Sequence, residues 1–241
     1  MKPGTGKAHR TAMRTALAAV SLALALGGPP PARAGQPFAV DPDAGNNTFR
    51  AVFDAAVGER ITAVSSAVAC TLAVDEAKLE GKASCSAPLT SIRVDNDDVK
   101  SEHFRQWATN KAIDPKKCVF KVEVPAMKLA EPVEPMKPVE FETEGTFTIY
   151  GRQRDDKGAE KIRATVLYLP SVATTPHASR GSHKQGRTIR IRARIENFDR
   201  ERYQIGPKWT AAWLARVQQL APVVATQGTI DVNLFAMEAG Q

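Results

Sequence analysis

Few residues of this sequence are spaced in a way that supports catalysis. His103 directly follows Glu102, but adjacent residues of a helix point in different directions, so we interpret His103 as a helix-surface residue rather than half of an acid–base pair. His177 and His183 have no further Cys, Asp or Glu at ligand spacing, whereas zinc sites use three or four ligands. We therefore expect no metal site and no cofactor.

The common catalytic motifs are also missing after residue 34. The sequence contains no Gly-x-Ser-x-Gly elbow, no phosphate-binding loop and no Cys-x-x-Cys pair there. This argues against the common enzyme classes, and we predict that the protein is not an enzyme. A hydrolase built around His103 is the remaining catalytic alternative.

The three cysteines predict one disulfide and one free thiol. Residues 75–78 form a hairpin turn in our interpretation, and a turn centred there places Cys70 opposite Cys85 on neighbouring strands. Directly opposed residues of an antiparallel pair lie near disulfide distance. We predict a Cys70–Cys85 bridge, which leaves Cys118 as a buried free thiol on the same face as Phe120.

A basic cluster allows two interpretations. Arg190, Arg192 and Arg194 alternate along one predicted strand and so share its outward face, with Arg187 just before them. They could contact a lipid phosphate or an anionic partner. A charged barrel exterior that discourages edge pairing is the interpretation that we favour.

The first 34 residues have the pattern of a cleaved secretory signal. Basic residues precede an apolar run over 16–26, and Ala32-Arg33-Ala34 supplies a small-x-small cleavage site. The run is shorter than the roughly 20 apolar residues that a membrane-spanning helix needs. We therefore expect cleavage after Ala34, a periplasmic location, and no integral membrane segment in the mature form.

Removal of this leader changes the charge balance. It carries five of the 33 basic residues and no acid, so 28 basic residues remain against 26 acidic ones, a formal charge of +2. General attraction to nucleic acid is therefore not supported. Residues 35–241 are enough for one domain with a substantial core.

Alternation of apolar and polar residues predicts an all-β fold. In the segment 139–149, Val139, Phe141, Phe147 and Ile149 share one parity, and Glu and Thr residues take the other. Segments 162–168, 189–195 and 230–236 repeat the pattern. Four further strands are expected at 48–54, 60–74, 79–94 and 117–125. About eight strands suit a closed antiparallel barrel that encloses either a packed interior or one ligand.

One or two short helices and two loops complete the expected fold. The acidic stretch 95–98 suits a helix N-terminus, which predicts a helix over 97–110. A second helix is expected over about 208–220, ending before Pro222. The proline-containing segment 125–138 and the polar segment 170–186 are expected to be surface loops, because proline cannot donate to a central ladder.

Several segments follow one another in an order that points to a known family. A long hairpin comes first, and after it come Ser91-Ile92-Arg93-Val94, the acidic stretch 95–98, Glu102-His103-Phe104, the strand opening 114–120, Gly145-Thr146-Phe147-Thr148-Ile149-Tyr150-Gly151, and Ile195-Glu196-Asn197-Phe198-Asp199. This order resembles that of the YceI-like family of periplasmic proteins over about residues 48 to 238.

The resemblance implies a lipocalin-like eight-stranded barrel, closed by helical segments, that holds a polyisoprenoid or a similar long apolar chain. The sequence departs from the family pattern at some points. The His usual in the first strands is absent, the cysteine pair is not part of the common motif, and the two loops and the 208–220 helix look like insertions.

The inward positions favour a hollow barrel. Aromatic residues make up only 6% of the chain, and many inward positions are Ala, Val or Ile, which leave volume that native packing density normally fills. We expect a long-chain isoprenoid or another apolar lipid as the partner, bound for storage or transport. The alternative is a structural or interaction protein with a filled barrel that acts through its basic face, and the sequence leaves open whether two copies form a dimer. The bulky residues expected around the ligand are Phe104, Trp107, Phe120, Phe147, Ile149, Tyr168 and Phe198.

Overall fold

The computed structural model describes residues 36–42, 46–55, 58–76, 78–109, 114–169, 188–206 and 224–238. All of them belong to one compact unit, Ala32–Gln241. The expected leader, the 170–186 loop and the 208–220 helix lie outside the described residues.

Regular structure in these residues consists mainly of β-strands. The strands are β1 (Gln36–Val40), β2 (Thr48–Ala55), β3 (Arg60–Ser65), β4 (Ala69–Asp75), β5 (Glu80–Pro88), β6 (Arg93–Val94), β7 (Val119–Lys128), β8 (Pro138–Ile149), β9 (Glu160–Leu169), β10 (Thr188–Asp199) and β11 (Val224–Glu238). The helix α1 (Asp98–Thr109) stands between β6 and β7, and 3-10 turns occupy Leu89–Ser91 and Glu201–Tyr203.

Eight of these strands form a closed antiparallel barrel. β1, β4, β5, β7, β8, β9, β10 and β11 follow one another around the ring, and β11 pairs with β1 to close it. The predicted fold class is confirmed. The predicted parity is also right, since Val139, Phe147 and Ile149 of β8 are buried in the interior.

The remaining three strands leave the ring at one end. β2 pairs with the first part of β11, β3 pairs with β2, and β6 pairs with β3. We call the end of the ring at which β2, β3 and β6 lie the upper end of the barrel. The sheet continues here as a side wall, and α1 follows directly after it.

Two expected strands are in fact interrupted, and one strand was not predicted. The segment 60–74 splits into β3 and β4, because the Ser65 hydroxyl accepts the N–H of Ala67 and bonds the Ser91 hydroxyl at 2.7 Å. Such a local side-chain bond competes with the ladder. The segment 79–94 splits into β5, the turn Leu89–Ser91, and β6. β1 lies before the first predicted strand.

The expected loop 125–138 is shorter than predicted. β7 continues through Pro125 to Lys128, and β8 begins at Pro138. Proline is tolerated here because the register between β5 and β7 shifts opposite this point, and because the pairing of β7 with β8 ends at Glu123–Thr146. A bulge is one of the places in a sheet where the missing N–H of proline costs little.

The hairpin of β4 and β5 has the predicted register. Cys70 lies opposite Cys85, and the two are joined by a disulfide. Cys118 is free, as predicted, but it is half-buried rather than buried, because it precedes β7 instead of lying within it.

Candidate ligand cavity

An apolar cavity of about 300 Å³ lies at the upper end of the barrel, beneath α1. Its size is near the lower limit for small-molecule sites. Small side chains make room for it, since Ala51 of β2 and Ala63 of β3 both face the space. Phe104 and Trp107, three residues apart on α1, line it from the helix side.

The N-terminus of α1 is fixed to the side wall by polar side chains. The carboxylate of Asp97 accepts the N–H of Lys100 at 2.9 Å, as expected for an N-cap residue. The hydroxyl of the buried Ser101 accepts the N–H of Val94 and donates to the Asp97 carbonyl. These bonds fix the angle at which the helix leaves β6.

Asp95 connects the same corner to β3. Its carboxylate accepts the backbone N–H of Thr62 and the ammonium of Lys100, both at 2.8 Å. Burial alone raises the pKa of Asp95, but these two donors outweigh burial and hold the pKa below its usual value. Asp95 is therefore charged wherever the barrel is folded near neutral pH.

The C-terminus of α1 is held by an arginine from the β8–β9 connection. Arg152 donates to the carbonyl of Ala108 at 2.5 Å and to the carbonyl of Tyr203 at 3.0 Å. Burial lowers the pKa of Arg152. One side chain thus ties the last turn of the helix to the Glu201–Tyr203 turn.

A row of aromatic rings crosses the barrel below the cavity. Ring centroids are 4.6 Å apart for Phe49–Phe120, 5.4 Å for Phe120–Phe147, 5.9 Å for Phe147–Phe198 and 4.9 Å for Phe198–Tyr203. We call these five residues the aromatic row. It forms the floor of the upper cavity, since Phe49, Phe120 and Phe198 face that space.

The aromatic row ends in a buried polar group. The hydroxyl of Tyr203 donates to Glu160 at 2.8 Å, and Arg154 lies 3.3 Å from the same carboxylate. Burial and the Glu160 carboxylate raise the pKa of Tyr203 well above its usual value, so the phenol stays protonated. This bond holds the tyrosine ring flat against Phe198.

The lower half of the interior contains a smaller apolar cavity of about 90 Å³. It lies below the aromatic row, and Phe147 and Leu234 are among its lining residues. The lower end of the barrel is covered by the segment between β7 and β8. Leu129 and Val133 of that segment meet Tyr168 there, around a separate space of about 90 Å³.

Three polar side chains line the upper cavity: Lys100, His103 and Arg200. The Arg200 guanidinium donates to the carbonyls of Ile205, Val224 and Ala225, and burial lowers its pKa. It fastens the turn after β10 to the start of β11. Arg200 and Lys100 therefore already have partners within the protein.

The predicted ligand residues separate into groups. Phe104, Trp107, Phe120, Ile149 and Phe198 surround the upper cavity. Phe147 faces the lower cavity, and Tyr168 lies at the far end of the barrel. Sequence reasoning missed Phe49 and Tyr203, although the alternation in 48–54 already marks Phe49 as an apolar strand residue.

The catalytic alternative finds no support around His103. This residue is exposed, and the neighbouring Glu102 carboxylate accepts bonds from Arg105 and Gln106, which lower its pKa. A carboxylate held in this way is a weak base. Among the described residues, no group of three or more His, Cys, Asp and Glu is placed to hold a metal ion.

Comparison with known proteins gives a structural match. No protein-family model and no curated protein matches the sequence. A solved structure, described as a polyisoprenoid-binding domain from Saccharophagus degradans implicated in plant cell wall breakdown, matches with a TM-score of 0.52. The match covers 85% of this chain and 99% of that chain, with 14% sequence identity.

The chain has the YceI-like barrel fold. The resemblance that the segment order predicts is thus confirmed for the fold. Helices that could cross a membrane were not found among the described residues.

Proposed function

We propose that the protein binds an isoprenoid or a similar apolar chain inside its barrel and carries or stores it in the periplasm, without catalysing a reaction on it. The observation that carries the proposal is the apolar cavity beneath α1. Its lining is almost wholly hydrocarbon, and its floor is made of aromatic rings. The likeness to a polyisoprenoid-binding domain supports the same class of ligand.

The driving force of such binding is removal of apolar surface from water. At about 25 cal/mol per Å², a chain that buries a few hundred Å² gains several kcal/mol before the entropic cost of association. Few polar contacts are needed. This fits a cavity whose charged side chains, Lys100 and Arg200, already have partners in the protein.

The alternative role through the basic outer face has less support. Arg190 donates to Asn233 at 2.9 Å, and Arg194 lies 3.3 Å from Asp231 and 3.6 Å from Glu196. The Arg194 charge is balanced by carboxylates on the same surface, and the Arg190 guanidinium is held by a neutral side-chain amide. This favours a solvated exterior over a site for an anionic partner.

Binding can be tested by filling the cavity. Ala63→Leu places three extra carbon atoms in the space, whereas Thr62→Leu puts the same side chain on the opposite face of β3. We expect a prenyl alcohol such as farnesol to bind the wild type and Thr62→Leu alike, and Ala63→Leu about tenfold or more weakly. Isothermal titration calorimetry measures these affinities.

The exported wild-type protein provides a second readout. Mass spectrometry of an organic extract of the purified protein is expected to show a co-purified apolar molecule, and less of it in Ala63→Leu. Equal affinity of all three proteins for farnesol, or no binding to any of them, would contradict the proposed function.

A further inference from the structure

The barrel interior is divided into two cavities, and the boundary consists of two side chains. Phe49 and Phe120 are the described residues that line both the upper cavity and the lower one. Their rings lie 4.6 Å apart and tilted by 48°. Both side chains are almost fully buried, so the boundary is part of the packed core.

The volume of the upper cavity limits the length of apolar ligand that fits above Phe49 and Phe120. A cavity of about 150 Å³ holds one benzene molecule, that is, six carbon atoms. By this measure the upper cavity of about 300 Å³ holds about twelve carbon atoms, slightly more than two prenyl units. A longer chain must either pass the boundary or remain outside the cavity.

The boundary is braced by the other rings of the aromatic row. Phe120 contacts Phe147 at 5.4 Å between centroids, and Phe147 contacts Phe198 at 5.9 Å. Phe198 in turn stacks on Tyr203, whose hydroxyl is fixed by Glu160. These neighbours block a rotation of the Phe120 ring that would let a bound apolar ligand pass from the upper cavity into the lower one.

We propose that Phe120, together with Phe49, sets the length of the apolar chain that the barrel accepts, with the bound part limited to two to three prenyl units. The proposal rests on the proposed function. It assigns to Phe120 a specificity role that is separate from the general affinity of the cavity for hydrocarbon.

The test compares prenyl alcohols of increasing length. Geraniol, farnesol and geranylgeraniol contain two, three and four prenyl units, and calorimetry gives the affinity of each. In the wild type we expect farnesol and geranylgeraniol to bind with affinities within about threefold of each other, because the fourth unit stays in water. In Phe120→Ala we expect geranylgeraniol to gain about tenfold or more relative to farnesol, since the opened lower cavity removes that unit from water.

Phe141→Ala is the matched control. It removes the same ring from a partly buried position that lines the lower cavity and not the upper one, and Phe141 is not part of the aromatic row. We expect it to keep the wild-type length profile. Phe120→Leu gives a second, milder opening of the boundary for the case in which Phe120→Ala does not fold.

The outcomes separate this proposal from the proposed function. A wild-type affinity that rises about tenfold from farnesol to geranylgeraniol would overturn the length limit and leave apolar binding intact, as would an unchanged profile in both Phe120 variants. Absence of binding for all three alcohols would instead remove the proposed function, and the length limit with it.

Discussion

At the scale of single residues, the negative charge of Asp95 helps to hold α1 in place. It has a left-handed backbone, with φ of 50°, and its carboxylate holds both Thr62 of β3 and Lys100 of α1. Asn also adopts this backbone region readily. Asp95→Asn therefore removes the charge without changing the shape of the corner.

We expect Asp95→Asn to destabilise the protein near neutral pH only. The folded pKa of Asp95 is lowered, so its stabilising contribution is present above the usual carboxyl pKa and is lost as the pH falls through the lowered value. Because Lys100 is partly exposed, the loss is expected to be about 0.5–1 kcal/mol, or about 1–4 °C in Tm. Thermal unfolding at about pH 7 and about pH 3 checks this, and a Tm difference of equal size at both values would contradict it.

Single residues also show what the sequence could and could not reveal. The positions of Cys70 and Cys85 followed from the turn between them, because hairpin register is a local property. The placement of Tyr168 did not follow. Its inward parity is correct, but its height in the barrel depends on how β9 is staggered against its neighbours, and this stagger puts it at the lower end, next to Val133.

At the scale of elements, α1 is held at both ends by side chains from distant parts of the chain. Asp97 and Ser101 fix its start, and Arg152 fixes its end. Arginine side chains commonly bind the last carbonyls of a helix. The helix that covers the cavity is therefore positioned by its ends as well as by packing.

We expect Arg152→Met to loosen the C-terminus of α1. The change removes two hydrogen bonds from a charged donor while it keeps a side chain of similar length. The expected cost is about 2–3 kcal/mol, or about 4–12 °C in Tm. Amide hydrogen exchange should also rise in the last turn of the helix.

Arg60→Met is the control for this prediction. Arg60 and its partner Asp54 are both about three-quarters exposed, at 75% and 77%, so the loss of their ion pair is expected to change stability by less than about 1 kcal/mol. Equal destabilisation by the two substitutions would contradict the role assigned to Arg152.

The sequence predicted most elements but not their interruptions. The start of α1 was predicted by its acidic stretch, and the strands by alternation. The split between β3 and β4 depends on the contact of Ser65 with Ser91, which no local pattern shows. β1 contains a proline and only two alternating apolar residues, Phe38 and Val40, so its sequence carries little strand signal.

At the scale of the whole molecule, the Cys70–Cys85 disulfide makes the stability of the fold depend on an oxidising compartment, such as the one that we propose. Cys70 and Cys85 are 15 residues apart, and a loop of that length corresponds to about 3 kcal/mol of stabilisation. Disulfides form and persist in oxidising compartments such as the periplasm. The folded barrel is therefore expected to be most stable after export.

We expect the double variant Cys70→Ser/Cys85→Ser to unfold about 6–12 °C below the wild type, because about 3 kcal/mol is lost. Cys118→Ser removes the free thiol and is the control, with little change in Tm expected. Thiol titration of the exported protein should give one free thiol, whereas a chain that lacks residues 2–34 and stays in the cytoplasm should give three. Three free thiols in the exported protein would contradict this prediction.

The pairing of β1 with β11 has a consequence for the order of events during synthesis. Phe38 lies opposite Glu238, so the ring cannot close until β11 has left the ribosome. Folds dominated by such non-local pairs form slowly. A chain that completes its tertiary structure late remains unfolded for longer. An unfolded chain is what a translocation channel accepts.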